Sequence, residues 1–384
     1  MLTADFLNHF SKLEDPRITN HNTRHKFIDI LVLAFVGILC GCDDWEEVAE
    51  YSKTKIDLFK QLLELPHGIP SHDTFSRVFS MIDTFHFEDL FIEWMNGLFI
   101  KSKGEIVALD GKTIRGAREK GTLKGVHIVS AWACKNQLTL GAMKVDCKEN
   151  EITAIPRLLK LLNIAHCTVT IDAMGCQKKI AEQIIEKKAN YVLTVKGNQK
   201  ELRCDIETVF SIVEGRQHVE CLESGEELEK KHGRKETRRY TSLPIDQFEA
   251  LFSAWVGVKS ITRVIRKREL TEKCSEETVY FISSHPYHSE QIKTAIRSHW
   301  HIENRLHWQL DVSFNEDRSR ARIKNEAQSI ALIRRISMAY LKKDVSVKSG
   351  IKCKRKKASW DASYLFRILS LGLEDKADDS ACAK

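Results

Sequence analysis

Two short apolar runs each close on an aspartate, Glu105-Ile-Val-Ala-Leu-Asp110 and Thr168-Val-Thr-Ile-Asp172. Runs this short and rich in β-branched residues, with glycine close behind, read as buried strands. Gly111-Lys-Thr-Ile-Arg-Gly116 follows the first and predicts a flexible basic loop beyond an acid at a strand end. The second precedes Ala173-Met-Gly-Cys-Gln177, a strand-to-helix turn whose glycine lets the backbone pass close to a ligand. Around them, His127–Ala133 and Gln137–Val145 predict a hairpin about Cys134-Lys-Asn136. Helices follow at Glu151 to Leu162 and Gln177 to Lys188, with a strand at Asn190 to Lys196. Antiparallel strands followed by alternating helix and strand require a mixed sheet flanked by helices.

A third acid, Glu303, sits in His299-Trp-His-Ile-Glu-Asn-Arg-Leu-His-Trp308, within a helix predicted from a Ser289 cap to about Leu310. Three such carboxylates match the demand of phosphodiester chemistry. Two divalent cations about 3.5 to 4 Å apart hold the attacking and leaving oxygens of an in-line displacement, and hard oxygen ligands suit Mg²⁺. One aspartate could bridge both ions, with the other two acids each anchoring one. At helical spacing His299, Glu303 and His307 share a side, with Trp300, Asn304 and Asp311 on the neighbouring face. The His-x3-Glu-x3-His column leaves two readings open, a transition-metal site or DNA contacts beside the acid.

Residues 1 to about 100 read as helical, with main segments Arg24 to Leu39, Asp44 to Leu65 and Asp73 to Met81. The last two form a helix pair that is either a DNA reader through Arg77 or a scaffold. A catalytic region spans 101–345. Asp172 and Glu303 lie 131 positions apart (303 − 172), which predicts an insertion at about 215–285, largely stranded and basic. Its Arg234, Arg238 and Arg239 are candidate DNA contacts, against the plain alternative of a solvated strand. Arg318, Arg320 and Arg322 precede an amphipathic helix, Ile323 to Leu341, whose Ile330, Ile333 and Ile336 face a core. The basic run Lys348 to Lys357 shows no periodic apolar face and predicts a flexible phosphate-binding segment or a solvated linker within a tail at 346–384.

The net charge of +7 is compatible with approach to phosphate backbones. Eleven scattered cysteines with no Cys-x-x-Cys pair point to a reduced cytosol and no structural zinc. The longest apolar run, Ile30 to Cys42, falls short of the roughly 20 residues a bilayer needs, and no secretory leader is visible at Met1.

The segments Leu109-Asp-Gly-Lys-Thr-Ile-Arg115, Thr170-Ile-Asp-Ala-Met-Gly-Cys-Gln177, Val195-Lys-Gly-Asn-Gln199 and His299 to Val312 resemble the H-repeat-associated group of bacterial insertion-sequence transposases, of the DDE class. Asp15-Pro-Arg17, Asp44-Trp45, Pro70 to Val78 and Phe314-Asn-Glu-Asp317 extend the resemblance over nearly the whole chain. His301 departs from it, standing where a small residue is expected. The resemblance implies a ribonuclease-H-like α/β catalytic domain behind a helical N-terminal domain, with Asp110, Asp172 and Glu303 as catalytic metal ligands. It implies Mg²⁺ as cofactor, with Mn²⁺ substituting, and no nucleotide cofactor. It implies double-stranded DNA, both transposon ends and target, as partner, a homodimer on DNA and a cytoplasmic, nucleoid-associated location. Lys112, Arg115, Lys196, Asn198 and Gln199 are expected to orient the phosphate backbone, and Trp300, Asn304, His307, Arg318 and Arg320 to touch DNA. A site-specific nuclease on the same fold, or a repurposed inactive DNA-binding protein, are the alternatives.

Overall fold

A computed structural model describes residues 4–18, 23–100, 102–118, 125–146, 150–215, 222–231, 234–270 and 273–371. Helices come first: α1 (Ala4–Phe10), α2 (Phe27–Leu39), α3 (Trp45–Thr54), α4 (Ile56–Phe59), α5 (His72–Met81) and α6 (Thr84–Leu98). The predicted Asp44 to Leu65 helix is therefore two pieces, broken at Lys55, and α6 is additional. Asp44 and Ser71 cap α3 and α5, accepting from the N–H of Glu47 and Thr74. The apolar faces of α3 and α5 meet through Trp45, stacked on Phe79 at 4.5 Å and Phe75 at 5.7 Å between centroids. Trp45 Nε1 donates to Glu326 Oε1 at 2.7 Å, tying the helix pair to the far end of the chain.

The sheet begins with β1 (Ile106–Arg118), β2 (Gly125–Ala133) and β3 (Leu138–Val145). Then come α7 (Glu151–Leu161), β4 (Thr168–Ile171), α8 (Lys178–Glu186), β5 (Asn190–Val195) and α9 (Lys200–Glu214). β1 to β3 are antiparallel, whereas β4 and β5 run parallel to β1. All four β4 residues are buried, as a central parallel strand covered on both faces requires. This is the ribonuclease-H-like mixed sheet that the order of elements predicts.

Asp110 is not at a strand end. β1 continues to Arg118, because Lys112 and Ile114 pair with Ile128 and Val126 of β2. The ladder supplies backbone partners to a segment whose glycines and charges suggest a loop.

The insertion is stranded, as predicted. It comprises β6 (Leu222–Lys231), β7 (Arg234–Pro244), the short α10 (Glu249–Phe252), β8 (Ser260–Leu270) and β9 (Lys273–Ser283). β9 pairs antiparallel with β5, so the described residues form one nine-stranded sheet in the order β3-β2-β1-β4-β5-β9-β8-β7-β6.

The chain then enters α11 (Glu290–His301), a π-helical turn (Ile302–His307) and α12 (Trp308–Phe314). Ser289 caps α11 as predicted, accepting from Gln291 N–H. α13 (Glu326–Lys343), α14 (Ile351–Trp360) and α15 (Ala362–Leu369) follow. Ile330, Ile333 and Ile336 are buried in α13, which packs on α2, α5 and α6.

The basic run at 348–357 corrects the linker reading, since most of it is α14. Lys354 Nζ donates to the carbonyls of Leu341 and Asp344 at the end of α13. Arg355 donates to those of Ile38 and Cys42 at the end of α2. These cations satisfy the orphan carbonyls of two helix termini, which is why they are buried without an apolar period to announce it. Among the described residues no helix is long and apolar enough to cross a membrane.

Candidate active site

Asp110 from β1, Asp172 from the turn after β4 and Glu303 from the π turn line one cavity of about 320 Å³. Asp172 is fixed by its own turn, its Oδ1 accepting from the N–H of Met174 at 3.0 Å and of Gly175 at 3.3 Å. Gly175 serves packing and not ligand approach, because a Cβ there would collide with the Ile171 side chain. Glu303 sits where the helix widens by a residue per turn, a feature often found at functional sites.

Burial and the neighbouring charges of Glu151, Asp172 and Glu303 push the Asp110 carboxyl up to about 7. Asp172 is raised by burial and then by Glu151, and Glu303 by burial. Such mutual repulsion is what a bound cation relieves, so this all-oxygen donor set fits Mg²⁺ in character. Among the described residues no three acidic, histidine or cysteine side chains stand close enough to enclose an ion as they lie.

Two histidines flank Glu303 on the sheet side. His299 Nδ1 is 3.1 Å from Thr170 Oγ1, and burial lowers its pKa to about 4. His307 Nδ1 is 3.6 Å from Asp110 Oδ2, and burial lowers it to about 3. Both are neutral near pH 7, and His307 faces the acids rather than an outer DNA surface.

Of the residues expected to hold phosphate, the exposed Lys196 and Trp300 line the acid cavity. Asn198 and Gln199 brace the two loops instead, donating to the carbonyls of Ala173 (2.6 Å) and Cys176 (2.9 Å). Lys112 is buried, with its Nζ 2.7 Å from Asp311 and 2.9 Å from Asp317, so its charge is already neutralised within the fold. Burial opposes its charge, yet Glu316, Asp311 and Asp317 hold its pKa above the ordinary value. Arg115 is exposed, 3.6 Å from Asp317. Arg318 and Arg320 line a different cavity, against the start of α3 and α5.

Asn304 and Arg238 share a groove of about 620 Å³ that continues from the acid cavity. Its wall includes Arg266 and Arg268 of β8, which also line the acid cavity. Strand alternation sets this face. Arg238 pairs with Arg266 and Glu236 with Arg268, around a buried Glu236 carboxylate. Arg239 points to the opposite face, and the Arg234 side chain lies outside the described residues. Arg266 and Arg268 are absent from the sequence-derived set. Their signal was the Arg-x-Arg spacing opposite Glu-x-Arg, legible only once the register is known.

A mixed-sheet α/β protein with three carboxylates on one cavity and an arginine-lined groove beside them has the layout expected of the DDE class. Comparison with known proteins agrees. Residues 101–341 match the family model described as Transposase DDE domain, and residues 7–95 match the one described as DDE_Tnp_1-associated. The chain belongs to the Transposase DDE domain family. "Putative transposase YncI" of Escherichia coli O157:H7 is 40% identical over 96% of this chain and 95% of its own. "H repeat-associated putative transposase YhhI" of Escherichia coli K12 is 38% identical over 95% and 97%. A cryo-EM structure of the piggyBac transposase synaptic complex with hairpin DNA aligns at a TM-score of 0.44 and 14% identity, covering 97% of this chain and 78% of that one.

Proposed function

We propose that this chain cuts DNA at the ends of its own insertion sequence and joins the exposed 3′-hydroxyl to target DNA. The observation that supports it is the convergence of Asp110, Asp172 and Glu303 on one cavity whose wall also carries Lys196, Arg266 and Arg268. Asp110, Asp172 and Glu303 would hold Mg²⁺, or Mn²⁺ in its place. The bound cations supply Lewis acidity at the phosphate and lower the pKa of the attacking water or hydroxyl. Lys196 and the two arginines neutralise non-bridging phosphate oxygens beside the acids. Trp300 offers an exposed aromatic face to a base or sugar at the cavity mouth. His299 and His307, kept neutral, leave the acids' negative charge intact for cations.

On this reading the protein works as a homodimer on double-stranded DNA in the bacterial cytoplasm. The test incubates purified protein with the DNA flanking its own reading frame and Mg²⁺, then maps the 3′ ends formed. Discrete ends at the element's borders, joined to a labelled target duplex, are the expected result. Cutting without joining would make it a nuclease on this fold, and no cutting would leave a DNA-binding protein with an idle core.

A further inference from the structure

We propose that Glu151 is a fourth carboxylate of the acid site, contributing to cation binding from the sheet face opposite Glu303. This rests on the metal-binding reading of the triad given above. Asp110 and Gly111 are consecutive in β1, so their substituents face opposite sides of the sheet. α11 and the π turn cover the Asp110 side. α7 covers the other, and its first residue is Glu151.

Gly111 is what lets Glu151 come so near. A Cβ at that position would collide with Glu151 Oε1 and with His127 Nε2, so only glycine leaves the cradle that this pair fills. The carboxylate is held there on purpose-built geometry. His127 Nε2 lies 2.7 Å from Glu151 Oε1, and its Nδ1 lies 2.8 Å from Thr113 Oγ1. A carboxylate only accepts, so Nε2 carries the proton, while Nδ1 bonds the threonine hydroxyl. Thr113 and His127 are direct cross-strand partners, so the anchor stands on the β1–β2 ladder. The result is an acid parked within electrostatic reach of both aspartates, as Glu151 is the strongest neighbouring charge felt by each.

An acid kept beside two others costs stability unless something positive joins them. Its bonded partner is a histidine that Thr113 anchors from behind. Glu151 would therefore act on a cation directly or through one of its waters. His127 is a positioning residue that orients it, as partners of ligating groups commonly do.

The experiment measures Mn²⁺ alone, without DNA, binding to the full chain by the loss of its free-ion electron paramagnetic resonance signal. Thermal unfolding in EDTA is recorded in parallel. Glu151→Gln is expected to weaken Mn²⁺ binding 10- to 100-fold, on the scale of outer-shell changes around metals. In EDTA its midpoint should equal or exceed that of the wild type, because a like charge beside Asp110 and Asp172 is gone. His127→Gln keeps the charge and cuts the anchor. It should weaken Mn²⁺ binding by less, without the gain in EDTA. Wild-type affinity in Glu151→Gln, with Asp110→Asn losing the ion, overturns the inference and leaves the triad standing. A lowered midpoint in EDTA with unchanged affinity also overturns it, making the pair a structural contact. Absence of saturable Mn²⁺ binding by the wild type would overturn the triad reading and this inference with it.

Discussion

The guanidinium of Arg266 lies 5.7 Å from the centroid of the Trp300 indole, so a strand of the inserted sheet meets the helix that carries Glu303. Arg266 and Arg268 project from the same face of β8 toward this helix. Each phosphate that such a cation neutralises adds about 0.9 to the slope of log affinity against log salt. Arg268→Gln should therefore flatten the slope by about that amount in titrations of an element-end duplex. Arg239→Gln, on the opposite face, should leave it unchanged. Equal flattening by the two would remove the groove as the path of the DNA backbone.

Glu303 should be essential to cutting and dispensable for binding. Glu303→Gln is expected to slow strand cleavage on the order of 10³-fold, the several kcal/mol that metal charge stabilisation supplies. Duplex affinity should hold within about threefold, since the phosphate contacts of the groove remain. Asp311→Asn is the comparison, because Asp311 faces Lys112. If Asp311→Asn stops cleavage and Glu303→Gln does not, the third ligand is misassigned.

Cleavage should proceed in Mg²⁺ or Mn²⁺ and stop in EDTA, in Ca²⁺ or in Zn²⁺. Mg²⁺ holds oxygens at about 2.0 to 2.1 Å, whereas the longer distances of Ca²⁺ spread the reacting atoms apart. Proton competition sets the pH dependence. With the Asp110 carboxyl at about 7 in the metal-free protein, it holds its proton below that pH and must lose it to bind a cation. Mn²⁺ affinity should fall as pH drops below about 7, by up to about tenfold per unit for one displaced proton. A flat profile from pH 8 to 5.5 would contradict this.

Lys112 should behave as a core residue and not as a DNA contact. Its ammonium neutralises Asp311 and Asp317 and lies 3.6 Å from the fully buried Glu316, itself paired with Arg335 at 2.9 Å. Lys112→Met would leave those acids uncompensated and should cost about 3 to 5 kcal/mol in chemical denaturation. The salt slope of DNA binding should not move. A stable Lys112→Met protein with a flattened slope would restore it to the phosphate set.

The parts of the fold visible in the sequence are those set by local rules. The strand that leads into Asp110, the one that closes before Asp172, the Ser289 cap and the buried isoleucines of α13 follow from periodicity and capping. What was hidden depends on pairing across long separations. The continuation of β1 through Gly111 and Lys112 needs β2 beside it, and the burial of Lys354 and Arg355 needs two distant helix ends. The site divides the same way. Its three acids stand out by local context. Arg266 and Arg268 reach the cavity only through register, and Glu151 comes against β1 only through the space left by the missing side chain of Gly111.

The hydrogen-bonded joint between β5 and β9 makes the insertion a caliper. Two strand steps, about 9 to 10 Å at the usual spacing, separate the strand ending beside Lys196 from the one bearing Arg266. Main-chain bonds fix that gap, whatever side chains the strands carry. On the proposed function, substitutions along β8 would alter which nucleic acid is gripped, and how tightly, while the jaw stays at one setting relative to the acids. Loss or gain of a strand would change the setting in a single step.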